Sequence, residues 1–473
     1  VSSNLLFFNS KPLTLSSWAG YNLTRQLDTK KFQPVVVSPR SYFVFTPLLA
    51  STAVGTLEFR TTLEPVRKRS TGVEFFQGWA EDVNFDMKRL TIEESGVQRN
   101  DSIALTGDVG ASESGGAKQT EKKAKKGKLF DIRYDKLVVA VGCYNQTFNT
   151  PGVRENALFL KDVGDARKIR KRILDCFETA ALPTTPEHLK KYLLNFAIVG
   201  GGPTGVEFSA ELHDLCHEDL RRLYPDLAKY VHITIYDVAP NILSMFDSSL
   251  ANYALETFRR DGIEVKTEHH IQELRQGLPD TERNKEVDDE GCLTLKTKED
   301  GEVGIGMCVW STGLMMNPFV RKAMDIVHTY PRRSAHLHNS LPNNQTPSDL
   351  HWVLKHHPKT GGLMVNDRFQ VKIVAKKEHD LNNNEKLDSA PTPEAIVRDV
   401  FAIGDVCVME KGQLPATAQV ANQQSKWLAK RLNKGDLNRE AFTFRNLGVM
   451  TYLGNMRAIM QTGSANEIKG YVM

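Results

Sequence analysis

The sequence predicts an α/β protein built from doubly wound nucleotide-binding units, for three reasons. First, residues Asn195 to Asp237 read as strand, glycine-rich turn, helix and second strand, ending on an acid. Second, apolar residues at helical spacing in Trp18 to Leu27 are followed by an apolar run, Phe32 to Ser38, which together form the back half of another such unit. Third, a buried-type strand runs into a glycine again at Tyr134–Gly142, Met307–Gly313 and Val400–Asp405.

A chain of 473 residues has room for roughly three domains. With 40% hydrophobic and 25% charged residues its composition is that of a globular chain. A net charge of +4 is small for this length, so no nucleic-acid partner is expected. The six cysteines, at 143, 176, 216, 292, 308 and 407, form no C-x-x-C pair. That argues against a disulfide framework and a dithiol redox centre, and fits a reducing compartment or an organelle interior. The best uncharged run, Val303 to Val320, is broken by Gly304, Gly306, Gly313 and Pro318, so no bilayer span is expected. The chain opens on Val1, which reads as a processed or incomplete start, and Val1 to Ser17 carries a poor transit-peptide signature, with Lys11 its only base.

Taken in order, the first unit lacks its front half on a reading of sequence alone. Where a strand and two glycines should stand, the chain reads Lys11-Pro-Leu-Thr-Leu-Ser-Ser17; counting back from Gly20 as third glycine, Leu15 and Ser17 occupy the other two positions. A side chain there resists glycine's backbone angles and projects where a pyrophosphate must approach. Ser41 to Leu49 is apolar and aromatic, punctuated by Pro47, and by itself reads as core. Residues 107–128 turn Gly/Ser-rich and then Lys-rich, which reads as a solvated insertion loop, the alternative being an acidic contact surface.

In the central unit Asn195-Phe-Ala-Ile-Val199 is short enough for a buried parallel strand and runs into Gly200-Gly-Gly-Pro-Thr-Gly205. Gly200, Gly202 and Gly205 meet the G-x-G-x-x-G spacing: a tight turn, a close approach to pyrophosphate, and close helix–strand packing. The helix that follows aims its amide-rich N-terminus at the phosphates. His232-Ile-Thr-Ile-Tyr236 then alternates as a strand and ends at Asp237, whose carboxylate suits a ribose 2′-hydroxyl and repels a 2′-phosphate; NADH is expected over NADPH. The interval to Asp237 exceeds the usual ~20 residues, as a long helix through His213–Arg222 would require.

Pro331 to Thr360 has no periodicity and is expected to be a loop. Its histidines, His336, His338, His351, His356 and His357, lack supporting cysteine or carboxylate spacing, so no metal is expected. A helix from about Ala416 to Leu432 follows the Gly404-Asp405 turn, and Phe442 to Met473 holds short apolar segments.

Segments far apart fit one pattern: Trp18-Ala-Gly20, Ser38-Pro-Arg-Ser-Tyr-Phe43, Phe45-Thr-Pro-Leu-Leu49, Ala140-Val-Gly142, Gly200 to Glu207, Trp310-Ser-Thr-Gly313, Phe401-Ala-Ile-Gly-Asp405 and Ala418-Gln-Val-Ala-Asn-Gln423. Together they resemble the type II (alternative, rotenone-insensitive) NADH:quinone oxidoreductases of mitochondria, closest to the fungal members, over about Trp18 to Lys469. The resemblance implies two Rossmann-like dinucleotide-binding domains, for FAD and NADH, the second inserted in the first. The corresponding bounds are 1–190 for the first part of the FAD domain, 191–330 for the NADH domain, 331–360 for a loop insertion, 361–440 for the second FAD part with a quinone-side helix, and 441–473 for a truncated C-terminal segment. It places FAD near Gly20, Arg40, Thr46, Gly142, Gly404 and Asp405, NADH on Gly200, Gly202, Gly205, Asp237 and Gly313, and ubiquinone beside Ala418, Gln419 and Gln423. It implies a non-proton-pumping NADH:ubiquinone reductase, peripheral to the inner mitochondrial membrane on an unspecified side, with a homodimer left open.

Glu207 is expected between nicotinamide and flavin; without the resemblance it reads as a first-turn acid complementing the helix dipole. Gln419 and Gln423, four apart, share a helix face and offer amides to quinone carbonyls; the plain alternative is two exposed helix glutamines. Two departures from the family stand out, the missing N-terminal strand with its glycines and the short C-terminal end. They leave as an alternative a truncated or defective paralogue that binds NADH but holds FAD and quinone poorly. A disulfide-reductase chemistry would need two redox cysteines, and Cys143 has no nearby partner in sequence.

Overall fold

The computed structural model describes residues 12–15, 18–67, 72–95, 127–280, 291–317, 319–320, 326–337, 341, 346–376, 392–463 and 467–471. The Lys-rich loop lies outside them except for Gly127 and Lys128, as do Ser17 and His338. The chain divides into two compact units, one drawn from Val1–Phe43, Glu64–Tyr144 and Met315–Phe444, the other from Val44–Leu63, Asn145–Leu314 and Arg445–Met473.

The first unit is built on a mixed sheet. Its parallel centre runs, in spatial order, through the strands Glu394–Ala402, Lys136–Val139, Pro12–Leu15, Val35–Ser38 and Glu74–Asn84. The strand Pro12–Leu15 corrects the sequence reading, which expected none. Leu13 pairs with Val35 on one side and with Leu137 on the other. Four residues that look unremarkable alone are recruited because both flanking strands present unsatisfied ladder groups that a buried backbone must pair. The glycines remain absent, since Leu15 ends the strand. Antiparallel strands Glu74–Asn84, Arg89–Glu94 and Leu129–Arg133 extend one edge. Val35, Val37, Leu137, Val138, Val139, Val371, Ile373 and Phe401, each no more than 1% exposed, fill the core, as expected for strands covered on both faces.

The stretch Pro331–Thr360 is a second correction. Ala335–Leu337 and His351–Leu354 are strands, paired antiparallel with Glu394–Ala402 and Gln370–Lys376. Each is too short to show a period, yet Trp352 and Leu354 are buried on pairing.

The second unit holds an all-parallel sheet in the order Leu158–Phe159, Met307–Trp310, Asn195–Val199, His232–Tyr236, Ile263–Lys266. Chain order reverses between Asn195–Val199 and Met307–Trp310, the topological switch point at which ligands of open α/β sheets bind. Two small antiparallel sheets complete the unit, Ile271–Gln276 with Leu293–Thr297 and Gly301–Ile305, and Val449–Tyr452 with Arg457–Gln461 and Glu467–Tyr471. No described helix is long and apolar enough to cross a membrane.

Candidate functional site

In the second unit the glycine turn leaves the carboxyl end of Asn195–Val199 and enters the helix Pro203–Asp214. Gly200 adopts φ +118°, open to glycine and strained for other residues. A Cβ on Gly205 would lie 1.9 Å from the Gly200 carbonyl oxygen, so this glycine lets the helix pack on the turn. At Gly202, by contrast, a Cβ would meet nothing within 4 Å. Protein packing therefore does not require glycine there, whereas a pyrophosphate lying against that backbone would. Gly202 is also the N-cap of the helix, with Pro203 following it. The amides of the first turn have no intrahelical acceptor and can receive an anion.

The neighbouring strand braces the turn. Ser311 Oγ donates to the carbonyls of Val199 at 3.0 Å and Gly200 at 3.3 Å. Gly313, at φ +72°, closes the loop after this strand; a Cβ on it would lie 2.8 Å from the Gln146 carbonyl and the Phe148 ring. Asp237 ends the next strand. Its Oδ2 accepts the Gly201 N–H at 2.5 Å and its Oδ1 the Ala239 N–H at 2.7 Å. Gly200, Gly202, Gly205, Asp237 and Gly313 are thus gathered at one end of one sheet. The Asp237 carboxylate also holds the glycine turn, a role the sequence reading missed.

Glu207 lies two residues past Gly205 on the same helix. Burial pushes its carboxyl up to about 7; a hydrogen bond from the Tyr452 backbone opposes this and the Glu211 carboxylate adds to it. Glu211, one turn further on and buried, accepts from Ser51 Oγ at 2.5 Å and Thr56 Oγ1 at 2.9 Å. Two turns on from Glu207, Asp214 accepts from Tyr452 Oη at 2.7 Å. This carboxylate row, and the serine, threonine and tyrosine that hold it, were not anticipated; the i, i+4, i+7 spacing of the acids was the available signal. Thr46 also belongs to this unit, exposed at the first position of the turn Thr46–Leu48.

In the first unit Gly20 is buried within the helix Trp18–Thr24, which follows the strand Pro12–Leu15. Arg40 stands just past the end of Val35–Ser38, its N–H donating to Ser38 Oγ at 3.2 Å. Gly142, at φ +68°, follows Lys136–Val139, and Gly404, at φ +78°, follows Glu394–Ala402. These two strands are parallel neighbours, so both glycine turns leave the same carboxyl end of the sheet. Cys143 Sγ donates to Asp405 Oδ2 at 3.2 Å, linking the turns. Asp405 Oδ1 has no partner among the described residues and is free to accept from a ligand hydroxyl. A dinucleotide fits this end of the sheet: left-handed turns bring bare backbone to it, and a half-buried residue offers a carboxylate oxygen to a donor.

Ala418, Gln419 and Gln423 sit in the first two turns of the helix Ala418–Lys434, capped by Thr417, whose side chain accepts the Val420 N–H at 3.3 Å. All three are partly exposed. Gln424, not singled out from the sequence, is 1% exposed, and its Oε1 accepts the Gly404 N–H at 2.6 Å.

All six cysteines are free thiols. Burial pushes Cys176 up to about 11 and Cys216, Cys308 and Cys407 to about 12, which suppresses the thiolate that disulfide exchange needs. Among the described residues no group of three or more His, Cys, Asp or Glu is placed to hold a metal.

Comparison with known proteins bears on the family and the fold. The family model described as pyridine nucleotide-disulphide oxidoreductase matches residues 16–331. The external alternative NAD(P)H-ubiquinone oxidoreductase B1, mitochondrial, of Solanum tuberosum is 34% identical over 89% of this chain and 73% of its own length. The B4 protein of Arabidopsis thaliana with the corresponding name is 35% identical over 89% of this chain and 72% of its own. Among solved structures, NDH2 from Plasmodium falciparum in complex with NADH superposes with a TM-score of 0.70, covering 98% of this chain and 92% of the other at 21% identity, a likeness of fold.

Proposed function

The chain belongs to the pyridine nucleotide-disulphide oxidoreductase family, among the alternative NAD(P)H-ubiquinone oxidoreductases (type II NADH dehydrogenases), and on that footing we propose that it oxidises NADH and reduces ubiquinone in mitochondria without pumping protons. The single observation that carries this reading is the glycine turn held by Asp237, with open space at Gly202 where a pyrophosphate would approach.

We assign NADH to Gly200, Gly202, Gly205, Asp237 and Gly313, and FAD to the sheet end formed by Gly142, Gly404 and Asp405 with Gly20 and Arg40. FAD bound there supplies the acceptor for a hydride and the donor of electrons to a quinone. The protein's own work is binding and proton handling. Asp237, already fixed by two backbone N–H groups, keeps a second lone pair on each oxygen for ribose hydroxyls and places negative charge where a 2′-phosphate would lie. Gln419 and Gln423 offer amides to quinone carbonyls. Reduction of a quinone by NADH consumes one proton beyond the hydride. Glu207, poised near neutrality by burial, is a group able to hold it. In the cell the protein is peripheral to the inner membrane.

The test is the visible spectrum of the purified chain. Near-stoichiometric flavin bands, bleached by NADH and restored by a short-chain ubiquinone, are expected. A colourless protein that binds NADH would point instead to the defective paralogue.

A further inference from the structure

We propose that Gln424 is a positioning residue: its side-chain carbonyl holds the Gly404 N–H and thereby sets both the Gly404–Asp405 turn and the direction of the helix face carrying Gln419 and Gln423. The inference rests on the reading above that this turn holds FAD. Up to Ile403 the strand's amides have ladder or loop acceptors, Ala402 donating to the Phe369 carbonyl at 2.9 Å and Ile403 to that of Val139 at 3.1 Å. Gly404 is the first N–H beyond them. It turns away at φ +78° and is buried, so it must find an acceptor inside the protein. Gln424 supplies that acceptor at 2.6 Å. The other end of the amide faces Cys407 Sγ at 3.7 Å, so one side chain grips both ends of the short 404–407 segment.

This contact does more than fill space. Val420, Ala421, Gln424, Ser425, Leu428, Ala429, Arg431 and Leu432 are the inward face of the helix, and Gln424 is the long polar side chain of its first half, as Arg431 is of its second. An apolar side chain of the same size would pack equally well and leave Gly404 without a partner. Asp405 follows the held amide directly, so the aim of its carboxylate depends on the turn. Gln423 precedes Gln424 on the helix, so anchoring Gln424 inward points Gln423 to the partly exposed side. One amide thus couples the flavin-side turn to the quinone-side glutamines, two places the sequence pattern treats as separate motifs.

The test compares Gln424→Met, which keeps the shape and removes the acceptor, with Gln424→Glu, which keeps the acceptor, both as flavin-loaded holoenzymes. The Met variant is expected to release FAD about tenfold faster and to raise the ubiquinone KM several-fold with the NADH KM within twofold of wild type. The Glu variant is expected to restore both. Equal impairment of the two variants, a Met variant identical to wild type, or an equal rise in the NADH KM would each overturn the proposal. Should the Met variant not fold, amide hydrogen exchange of Gly404 in the wild-type holoenzyme decides: protection like that of Ile403 supports the bond, and free exchange overturns it. A wild-type chain that binds no FAD overturns the functional reading and this inference with it; a flavin-loaded wild type with an unaffected Met variant overturns this inference alone.

Discussion

Replacing Glu207 by glutamine isolates one half-buried carboxyl and its proton. Burial raises its pKa from an ordinary 4.5 to about 7, with the Tyr452 N–H opposing and Glu211 adding to the rise. At ~1.4 kcal/mol per pH unit, that displacement corresponds to about 3 kcal/mol. The sign follows from proton binding: between pH 4.5 and about 7 the folded state holds this proton more tightly than the unfolded state. The stabilisation is therefore complete below pH 4.5 and is lost as pH rises through about 7. Glutamine cannot ionise and still offers an oxygen to the Tyr452 N–H. Relative to its own value at pH 5, the variant should gain on wild type by up to about 3 kcal/mol at pH 8 to 9. For a unit of about 200 residues this is a Tm difference of roughly 6–12 °C that opens as pH rises. The assay is thermal unfolding of both proteins, flavin-loaded, from pH 5 to 9, with the steady-state pH–rate profile alongside. The variant should also lose any limb of that profile with an apparent pKa near 7. A wild-type-minus-variant Tm difference that is flat across this range would refute the burial argument.

Asp237→Ala should weaken NADH binding about tenfold or more, the scale of a hydrogen bond to a charged group, and should narrow the preference over NADPH; an unchanged ratio of the two KM values removes the assignment. Gly202→Ala and Gly205→Ala separate ligand from packing. The first meets open space and should keep its Tm while losing NADH affinity; the second collides with the Gly200 carbonyl and should lower Tm by several degrees, and equal Tm losses would count against the pyrophosphate site. Gln419→Leu and Gln423→Leu should each raise the ubiquinone KM several-fold with little change for NADH, and steady-state kinetics in both substrates show whether they do.

What could be read from residues alone was whatever lies close together along the chain. The Asn195–Val199 strand, the turn from Gly200 to Gly205 and the helix after it are contiguous, and their glycine spacing reflects backbone constraints that act within a few residues. The same holds for strand-to-glycine patterns at Gly142, Gly313 and Gly404, and for the glutamines of the Ala418–Lys434 helix. Gln424 could have been found the same way, as a glutamine where helical period calls for an apolar residue. Pairing between distant segments was decided by tertiary structure. Pro12–Leu15 and His351–Leu354 are four residues each, too short for a period to emerge, and became strands because remote neighbours needed their backbone groups. Glu211 meets Ser51 across a separation of 160 residues, so neither its buried state nor the resulting environment of Glu207 is written in local pattern. Local backbone preference is a property of sequence; burial, register and the field around a carboxylate arise only when segments far apart in the chain come into contact.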